Sequence, residues 1–338
     1  MAVFYKTTSL LKLNRAIGSL RLKFLYVLLA DMLGWRHTIV RLDPVLGCNL
    51  RCRMCCYSDA QWVASQPRAR FSTADFERLA EQFFPTALQV HVGCGAEPTT
   101  DPRFPDIIRL AKAYGVPHVA LVTNAMALRQ EQFRRAVDLG LDEVVVSSHG
   151  TTRESFERMM TGASFDRHLS ALRMIADESA AGGPALRINF TVCAETIEDL
   201  AALPGLYARY GMRTLQIRPI TPLDFAQYRT ALPPALVPRY RALVAAVRAE
   251  CAALGVTVLA NVTDPAHAEV NYSASVYQVG VLRVISPLMV WKPGFDFRIQ
   301  DVAAFKRSIG FRRELLGRVL RPKADTGPSA LAASSVLD

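Results

Sequence analysis

The stretch "GCNLRCRMCCYS", Gly47 to Ser58, holds four of the chain's seven cysteines. Three of them, Cys48, Cys52 and Cys55, have a C-x3-C-x2-C spacing directly after a strand-like run. Thiolates are soft ligands that suit an iron–sulfur cluster or zinc. A structural zinc site is closed by four protein ligands, whereas a [4Fe–4S] cluster held by three thiolates leaves one iron open to a small molecule. The residues alone therefore leave both kinds of metal site open.

The other cysteines predict little chemistry. Cys56 follows Cys55 directly, so it cannot easily reach a cluster whose geometry the other three set, and we expect it to take no part. Cys94, Cys193 and Cys251 are isolated, which is typical of small buried hydrophobic residues. An odd, thinly spread set of cysteines does not resemble the disulfide framework of a secreted protein. We therefore expect a reducing, cytoplasmic compartment.

The elements that must position these residues follow from the hydrophobic pattern. Short runs of Val, Ile, Leu and Thr alternate with helical patterns, as expected for parallel strands buried on both faces. The runs lie at 38–42, 88–93, 118–123, 143–148, 186–192 and 214–219. Six β/α units in series predict an α/β protein, either a parallel barrel or an open doubly wound sheet.

Several motifs together resemble those of the radical S-adenosylmethionine (SAM) enzymes. The C-x3-C-x2-C run after the first strand is similar to the signature of that family, and "CNLRCRMC" is close to the form seen in members with a SPASM-type C-terminal extension. After the second strand, Gly95-Ala96-Glu97-Pro98 matches the family's G-G-E-P motif, with alanine at the second glycine. Thr123 and Asn124 resemble its T-N-G motif. The run "SSHGTTRESFERMMTGASF" resembles a further family segment, in which His149 replaces an aspartate.

This resemblance implies a fold, two cofactors and a set of site residues. The fold would be a partial (β/α)6 TIM-like barrel of parallel strands. Cys48, Cys52 and Cys55 would hold one [4Fe–4S] cluster, whose open iron chelates SAM and cleaves it reductively to a 5′-deoxyadenosyl radical that abstracts a hydrogen from the substrate. The expected SAM-binding residues are Met54 (as an apolar shield), Gly95, Ala96, Glu97, Pro98, Thr123, Asn124, Ser147, Arg153 and Asn189. His149 is the candidate catalytic residue, with local hydrogen bonding as the alternative.

Asn189 is predicted from the strand pattern. Arg187 and Asn189 are two residues apart on the fifth strand, so their side chains share a face. Arg218 lies on the sixth strand, and polar residues that point into a barrel are candidates for SAM or substrate contacts. The alternative for Arg187 is a solvated position in the helical layer.

The chain divides into four predicted parts. Residues 1–37 form a basic and apolar N-terminal helical extension, and residues 38–262 form the barrel. Residues 263–323 are similar in outline to a SPASM-like subdomain, but no cysteine follows Cys251, so auxiliary clusters are not expected. Residues 324–338 are predicted to be a disordered tail. The family resemblance is strong over 38–225, weak over 264–323 and absent from 1–37.

The net charge of +10 is concentrated at the two ends of the chain. Residues 1–41 carry seven basic and one acidic side chain, and residues 292–323 carry nine and three. The apolar run Phe24 to Ala30 is too short to span a bilayer. It predicts a helix packed against the body of the protein, with an amphipathic helix on the inner membrane surface as the alternative. No nucleic-acid-binding motif accompanies the basic ends, which indicate an anionic or membrane-associated substrate or else plain solvated surface.

The leading functional hypothesis is a radical SAM enzyme of unknown reaction subtype. Its substrate class stays open among peptides, sugars or glycans and lipid-linked metabolites, because fold alone does not decide this. The resemblance implies an electron donor such as flavodoxin or ferredoxin. The alternative is a non-catalytic iron–sulfur or zinc-binding protein with an assembly or regulatory role.

Overall fold

The computed structural model describes residues 17–262 and 276–321. The predicted tail at 324–338 lies outside the described residues, as do 1–16 of the N-terminal extension and 263–275 and 322–323 of the predicted C-terminal subdomain.

All six predicted strands are present and parallel, each within two residues of its predicted bounds. They are β1 (Thr38–Leu42), β2 (Ala87–Val92), β3 (His118–Thr123), β4 (Glu143–Ser148), β5 (Ala185–Val192) and β6 (Met212–Pro219). Each pairs with the next in chain order. The prediction of an α/β fold built on a partial parallel barrel is confirmed.

Three further strands extend this sheet at its two edges. β7 (Thr257–Ala260) lies parallel beside β6, and β8 (Leu282–Ser286) lies parallel beside β1. β9 (Met289–Val290) then pairs antiparallel with β8. The order is β7-β6-β5-β4-β3-β2-β1-β8-β9, so the sheet has two ends and the barrel is open. The C-terminal residues 282–290 thus belong to the same sheet as the barrel strands, while the predicted division at 262/263 stays a prediction.

Helices follow most strands. They are α1 (Leu20–Leu33), α2 (Ala60–Ser65), α3 (Thr73–Phe83), α4 (Phe104–Ala113), α5 (Gln130–Asp138), α6 (Arg153–Met159), α7 (Phe165–Ala180), α8 (Leu203–Tyr207), α9 (Val237–Ala253), α10 (Val302–Ser308) and α11 (Phe311–Leu320). Side chains fix several of their starts. The Ser72 hydroxyl accepts the Asp75 amide while the Asp75 carboxylate accepts the Ser72 amide, which forms a capping box for α3.

The two faces of the sheet differ in polarity because successive strand residues point to opposite sides. One face carries apolar residues such as Val40, Val90 and Ile188, which pack with the helices in the main core. The residues between them are polar on several strands, and include Arg41, Gln89, His91, Arg187, Asn189, Gln216 and Arg218. The side of the sheet away from the helices is therefore a polar lumen.

The inner face of α1 packs on the body of the protein, as the preferred interpretation of the N-terminal run predicts. Phe24, Val27 and Leu28 are buried, and α1 contacts α11. Arg312 pairs with Asp31 near the end of α1, and Arg318 lies 5.9 Å over the Phe24 ring near its start. The two helices therefore run antiparallel. In the described parts of the chain, no helix has both the length and the apolar character needed to cross a membrane.

Candidate functional site

The cysteine loop follows β1 and is anchored from two sides by its backbone. The amides of Arg51 and Arg53 donate to the carbonyls of Thr161 and Met159, at 2.9 and 3.0 Å, in the segment that follows β4. The Arg53 carbonyl accepts the Tyr228 amide, at 2.8 Å, from the segment after β6. These contacts hold the loop at the carboxyl ends of the strands, where open parallel sheets place their ligand sites.

A small apolar cluster surrounds two of the three cysteines. Leu50, Met126, Phe156 and Met160 are buried together, and Cys48 and Cys52 pack against them. This cluster was not predicted, because its members come from three separate segments of the sequence. An apolar shell of this kind limits the access of water to a metal centre and affects its potential.

The pKa values of the cysteine thiols indicate what kind of partner the loop can bind. Burial raises the pKa of Cys48 to about 12, and the neighbouring Glu97 and Cys55 add to the shift. Burial also raises the pKa of Cys52 well above its usual value, with the Cys55 and Cys48 charges contributing. Three mutually repelling thiolates in an apolar loop are stable only with a cationic partner, which a cluster iron supplies.

The thiols of Cys48, Cys52 and Cys55 lie close enough for the charge of one to raise the pKa of another. Within residues 17–262 and 276–321, no three His, Cys, Asp or Glu side chains converge as they would on a single metal ion. A [4Fe–4S] cubane gives each thiolate its own iron, so its ligands surround it and do not meet at one point. The soft donors of Cys48, Cys52 and Cys55 fit such a cluster.

Cys56 interacts directly with one of the predicted ligands. Its Sγ lies 3.9 Å from the Cys55 Sγ, and its side chain is buried. The hydrogen bond from Cys56 lowers the pKa of Cys55 to about 7. Cys56 is therefore a hydrogen-bond partner of the Cys55 sulfur, while the expectation that it does not hold the cluster stays a prediction.

A buried carboxylate organises the turn after β2. Asp43, the first residue after β1, accepts the backbone amides of Cys94 at 2.7 Å and of Gly95 and Ala96 at 3.1–3.2 Å. A peptide carbonyl points opposite to the amide that follows it, so the carbonyls of residues 93–95 point away from Asp43. Burial raises the pKa of Asp43 to about 6. Asp43 was not predicted as a site residue, although its position at the end of the first strand was a usable signal.

Glu97 joins this turn to the end of β3. Its carboxylate accepts the hydroxyls of Thr99 and Thr123, at 2.5 and 2.6 Å, and the Asn124 amide at 2.7 Å. Its own amide donates to the Gly47 carbonyl at 2.9 Å. Glu97 and Thr123, both predicted site residues, are thus hydrogen-bonded to each other. The Glu97 carboxylate joins the turn to the end of β3, and its backbone amide joins the turn to the cysteine loop.

Asn124 contacts the cysteine loop directly. Its Nδ2 lies 3.7 Å from the Cys48 Sγ and 3.0 Å from the Asn49 Oδ1. The next residue, Ala125, stands where the family motif has glycine and has a φ of 63°. The backbone geometry that glycine would adopt is therefore retained, at the usual cost of placing a Cβ in the left-handed region.

Polar side chains on β4, β5 and β6 form a network in the lumen. Ser147 and Asn189 are neighbours in the β4–β5 register. With its amide oriented to satisfy its neighbours, Gln216 donates to the Asn189 Oδ1 at 3.1 Å and accepts from the Arg218 guanidinium at 2.9 and 3.1 Å. Ser147, Asn189 and Arg218 are thus brought to one region of the lumen, while their predicted contacts with SAM or substrate stay a prediction.

Arg187 is buried in the lumen. It makes a bidentate ion pair with Glu143 at 2.7–3.1 Å, and His118 lies 3.4 Å from the same carboxylate. Its predicted alternative, a solvated position in the helical layer, is wrong. The Arg187 guanidinium is therefore already paired within the protein, with Glu143.

The structure does not place Arg153 beside the predicted site residues of the lumen. Its guanidinium pairs with Asp166 at 2.6 Å and Glu157 at 3.5 Å, and its side chain is exposed on α6. The predicted contact of Arg153 with SAM has no support in this geometry, because the helix turns the side chain towards solvent. Met54 lies in a separate buried cluster with Met159, Cys193 and Ile220 beneath the cysteine loop.

His149 has a local backbone partner. The Thr191 amide donates to its Nδ1 at 3.1 Å, and burial lowers the pKa of His149 to about 4. The ring is therefore neutral at pH 7, with its proton on Nε2. This geometry is that of the local hydrogen-bonding residue, the alternative given for His149.

The segment after β6 covers one side of the site. Arg53 pairs with Glu195 at 2.8 and 3.1 Å and lies 5.6 Å over the Tyr228 ring. Phe225 stacks on Trp62 of α2, with the ring centroids 5.7 Å apart. These contacts join the sixth strand's loop to the first strand's loop across the open side of the barrel.

Comparison with known proteins supports this site. A family model described as the radical SAM superfamily matches residues 43–201, which include the cysteine loop and the turn after β2. A GTP 3′,8-cyclase of Chlorobaculum tepidum is 29% identical over 155 residues, 45% of this chain and 46% of that protein. The mycofactocin maturase MftC of Mycobacterium tuberculosis is 27% identical over 175 residues, 51% of this chain and 43% of that protein. The chain spans about half the length of the curated relatives it matches.

Solved structures share the fold. Streptococcus suis SuiB, in a crystal structure with bound S-adenosylmethionine, has a TM-score of 0.61 at 15% identity, over 75% of this chain and 59% of SuiB. The structure of anSMEcpe with bound AdoMet and a peptide has a TM-score of 0.53 at 15% identity, over 66% of this chain and 63% of that one. At this identity the likeness concerns the fold alone. Because the family match covers the same residues that form the cysteine loop and its supporting turns, we conclude that residues 43–201 form a radical SAM domain.

Proposed function

We propose that the protein is a radical SAM enzyme with one [4Fe–4S] cluster on Cys48, Cys52 and Cys55. The observation that supports the proposal most strongly is that the segments after β1, β2 and β3 meet at the Cys48 sulfur. The Asn124 amide group is 3.7 Å from the Cys48 Sγ, and Glu97 links the turn after β2 to both Asn124 and Gly47. A metal site that only stabilises the fold does not require these contacts from the segments after β2 and β3.

A cluster held by Cys48, Cys52 and Cys55 would supply, once reduced, the single electron for reductive cleavage of SAM and hydrogen abstraction from the substrate. The chain's own residues bind and orient the reactants. Asp43 holds the amides of the 94–96 turn, so that its carbonyls point away and are available to an ammonium group. The apolar cluster beside Cys48 and Cys52 excludes water.

The lumen supports an anionic substrate. Arg41, Arg187 and Arg218 lie on its strands, and Glu143 pairs with Arg187. The guanidinium groups of Arg41 and Arg218 are half-buried on this face of the sheet, and such groups favour an anionic ligand. GTP, the substrate in the names of several curated relatives, is itself strongly anionic. Within the predicted classes, we therefore favour a phosphorylated or carboxylated small molecule, or the charged group of a lipid-linked metabolite.

The reaction needs a reductant of low potential, and we propose flavodoxin or ferredoxin in a reducing, cytoplasmic setting. Cys48, Cys52 and Cys55 are half-buried, and thiolates with some access to solvent are open to oxidation. His149, neutral and bound to Thr191, positions the β4–β5 edge in this scheme and does not act as a general acid.

Anaerobic reconstitution with iron and sulfide tests the proposal. We expect about four irons per chain, characteristic of one cubane. SAM should change the electron paramagnetic resonance spectrum of the reduced cluster, because it binds the iron that lacks a protein ligand. Cys52→Ala should lose the cluster, whereas Cys251→Ala, which removes a buried cysteine in α9, should keep it. A spectrum that is unaffected by SAM, or a Cys52→Ala protein that binds iron normally, would contradict the proposal.

A further inference from the structure

The outer face of α1 is apolar and exposed. Leu22, Leu25, Tyr26, Leu29, Met32 and Leu33 are between 38% and 58% exposed. Their spacing of three and four residues places them on one side of the helix, opposite the buried Phe24 and Val27. The stripe runs for about 16 Å at 1.5 Å per residue. A helix that is apolar all round is normally covered on every side, so this stripe is a surface built for a partner.

α11 extends the same surface. It lies antiparallel beside α1, and its Leu316 and Leu320 are 46% and 65% exposed. Trp35, directly after α1, is 55% exposed. We call the exposed side chains of α1 together with Trp35, Leu316 and Leu320 the α1/α11 face. Exposed apolar patches of this kind on a folded protein mark sites of protein or membrane contact.

The charges around the α1/α11 face indicate the partner. Arg21, Arg313 and Arg321 are exposed on or next to the two helices. The acidic residues of the helices are paired: Asp31 with Lys306 and Arg312, and Glu314 with Arg318 and Lys292. The face therefore presents apolar side chains with a positive border. A second copy would bring the same positive border against it, which argues against self-association.

We propose that the α1/α11 face docks on the surface of an anionic lipid bilayer, with its apolar side chains in the headgroup–acyl boundary. Helices with an apolar outer face and basic residues at the border bind such membranes in the interface plane. Tyr26 and Trp35 are of the types enriched at that depth, because their rings are amphipathic. This inference does not depend on the proposed chemistry. It gives the protein direct access to a substrate carried on a lipid.

Co-sedimentation of the full chain with vesicles tests the inference. Vesicles of phosphatidylcholine alone are compared with vesicles that also contain phosphatidylglycerol. We expect binding to the anionic vesicles at low salt and its loss at high salt. Leu22→Glu with Leu29→Glu should weaken binding by at least about tenfold, since two leucines leave the apolar boundary. Arg313→Gln and Arg321→Gln should each weaken it by about fivefold.

Matched controls separate docking from folding. Leu254→Glu with Ile299→Glu makes the same kind of change at two exposed aliphatic residues outside α1 and α11, and should bind as the unchanged protein does. Circular dichroism checks that the α1 variant keeps its thermal midpoint. Should that variant fold poorly, brominated lipids should quench the fluorescence of the unchanged protein more strongly than that of Trp35→Phe.

Three outcomes would overturn the inference. The first is no sedimentation with anionic vesicles at low salt. The second is equal binding by the α1 variant and the unchanged protein. The third is a dimer in gel filtration that the α1 variant converts to a monomer without vesicle binding, which would show that a second copy covers the face.

Discussion

Asp43 is the residue on which the order of the proposed SAM pocket depends most. Its carboxylate is buried and accepts three consecutive backbone amides of the turn after β2. These bonds fix which way the turn's carbonyls point. A single side chain on β1's end thus sets the geometry of a motif some fifty residues later in the chain.

Asp43→Asn should weaken SAM binding while leaving the cluster in place. The asparagine amide nitrogen cannot accept, so the turn loses part of its anchoring and becomes less ordered. We expect the Kd for SAM to rise by about tenfold or more, and the free energy of unfolding to fall by about 2 kcal/mol, the usual cost of leaving buried donors unpaired. Calorimetric titration of the reconstituted protein with SAM and an iron assay measure the two effects.

The control for this change is Asp142→Asn. Asp142 also accepts a backbone amide, that of Val119 at 2.7 Å, but at the amino ends of the strands. It should lower stability without changing the Kd for SAM. Equal affinity of the Asp43 variant and the unchanged protein would show that Asp43 does not order the pocket.

At the scale of elements, the turn after β2 also requires a glycine at its start. Gly93 has a φ of 89°, and a Cβ there would lie 2.4 Å from the Val122 carbonyl oxygen and 2.6 Å from the Pro98 ring. Gly211, at the end of the helical segment before β6, also has positive φ, but its added Cβ would meet nothing within 4 Å. Alanine substitutions at the two glycines therefore separate the free-energy cost of a positive φ from the cost of the steric clash at Gly93.

Gly93→Ala should therefore be much more destabilising than Gly211→Ala. The Gly211 change should cost about 1–2 kcal/mol, the price of a left-handed residue with a Cβ. The Gly93 change should cost about 2 kcal/mol more, because β2, β3 and the 98–100 turn must move apart. Urea unfolding of both variants measures the difference. Equal losses would contradict the close packing at Gly93.

The strands that could be predicted are those with long, continuous apolar runs. β1 to β6 have such runs and were found within two residues, and the cysteine spacing fixed the position of the site. β7 has only four residues, and β8 directly follows the π-helical turn Tyr277–Val281, so neither gives a clear period in the sequence. Asp43 and the apolar cluster at Leu50 depend on contacts between distant segments, which local patterns do not encode. Arg153 was misplaced because the motif did not specify which way its helix faces.

At the scale of the whole molecule, burial of histidines makes stability depend on pH. Burial lowers the pKa of His37 and His149 to about 4 and that of His91 and His168 to about 3, from 6.5. Below pH 6.5 the unfolded chain binds protons on these rings and the folded chain does not. Stability is therefore full above pH 6.5 and falls as the pH falls towards 4.

We expect the free energy of unfolding to be lower at pH 5 than at pH 7 by at least about 2 kcal/mol. Asp43 and Glu97 oppose this trend, because burial raises the pKa of each and lets the folded chain bind protons first, but they are two groups against four. His168→Phe keeps a ring against Phe156, whose centroid lies 4.6 Å away, and should reduce the loss by about 2 kcal/mol. Urea unfolding at the two pH values measures this. Constant stability between them would mean that these histidines are not buried in the neutral form.

The central claim, that the three-cysteine site cleaves SAM, is tested most directly by product formation. The reconstituted protein is reduced with dithionite under anaerobic conditions, SAM is added, and 5′-deoxyadenosine is measured by liquid chromatography. We predict that 5′-deoxyadenosine accumulates with the unchanged protein and with Cys251→Ala, and that none forms with Cys52→Ala. Protein that carries its full iron content and binds SAM but releases no 5′-deoxyadenosine would contradict the claim.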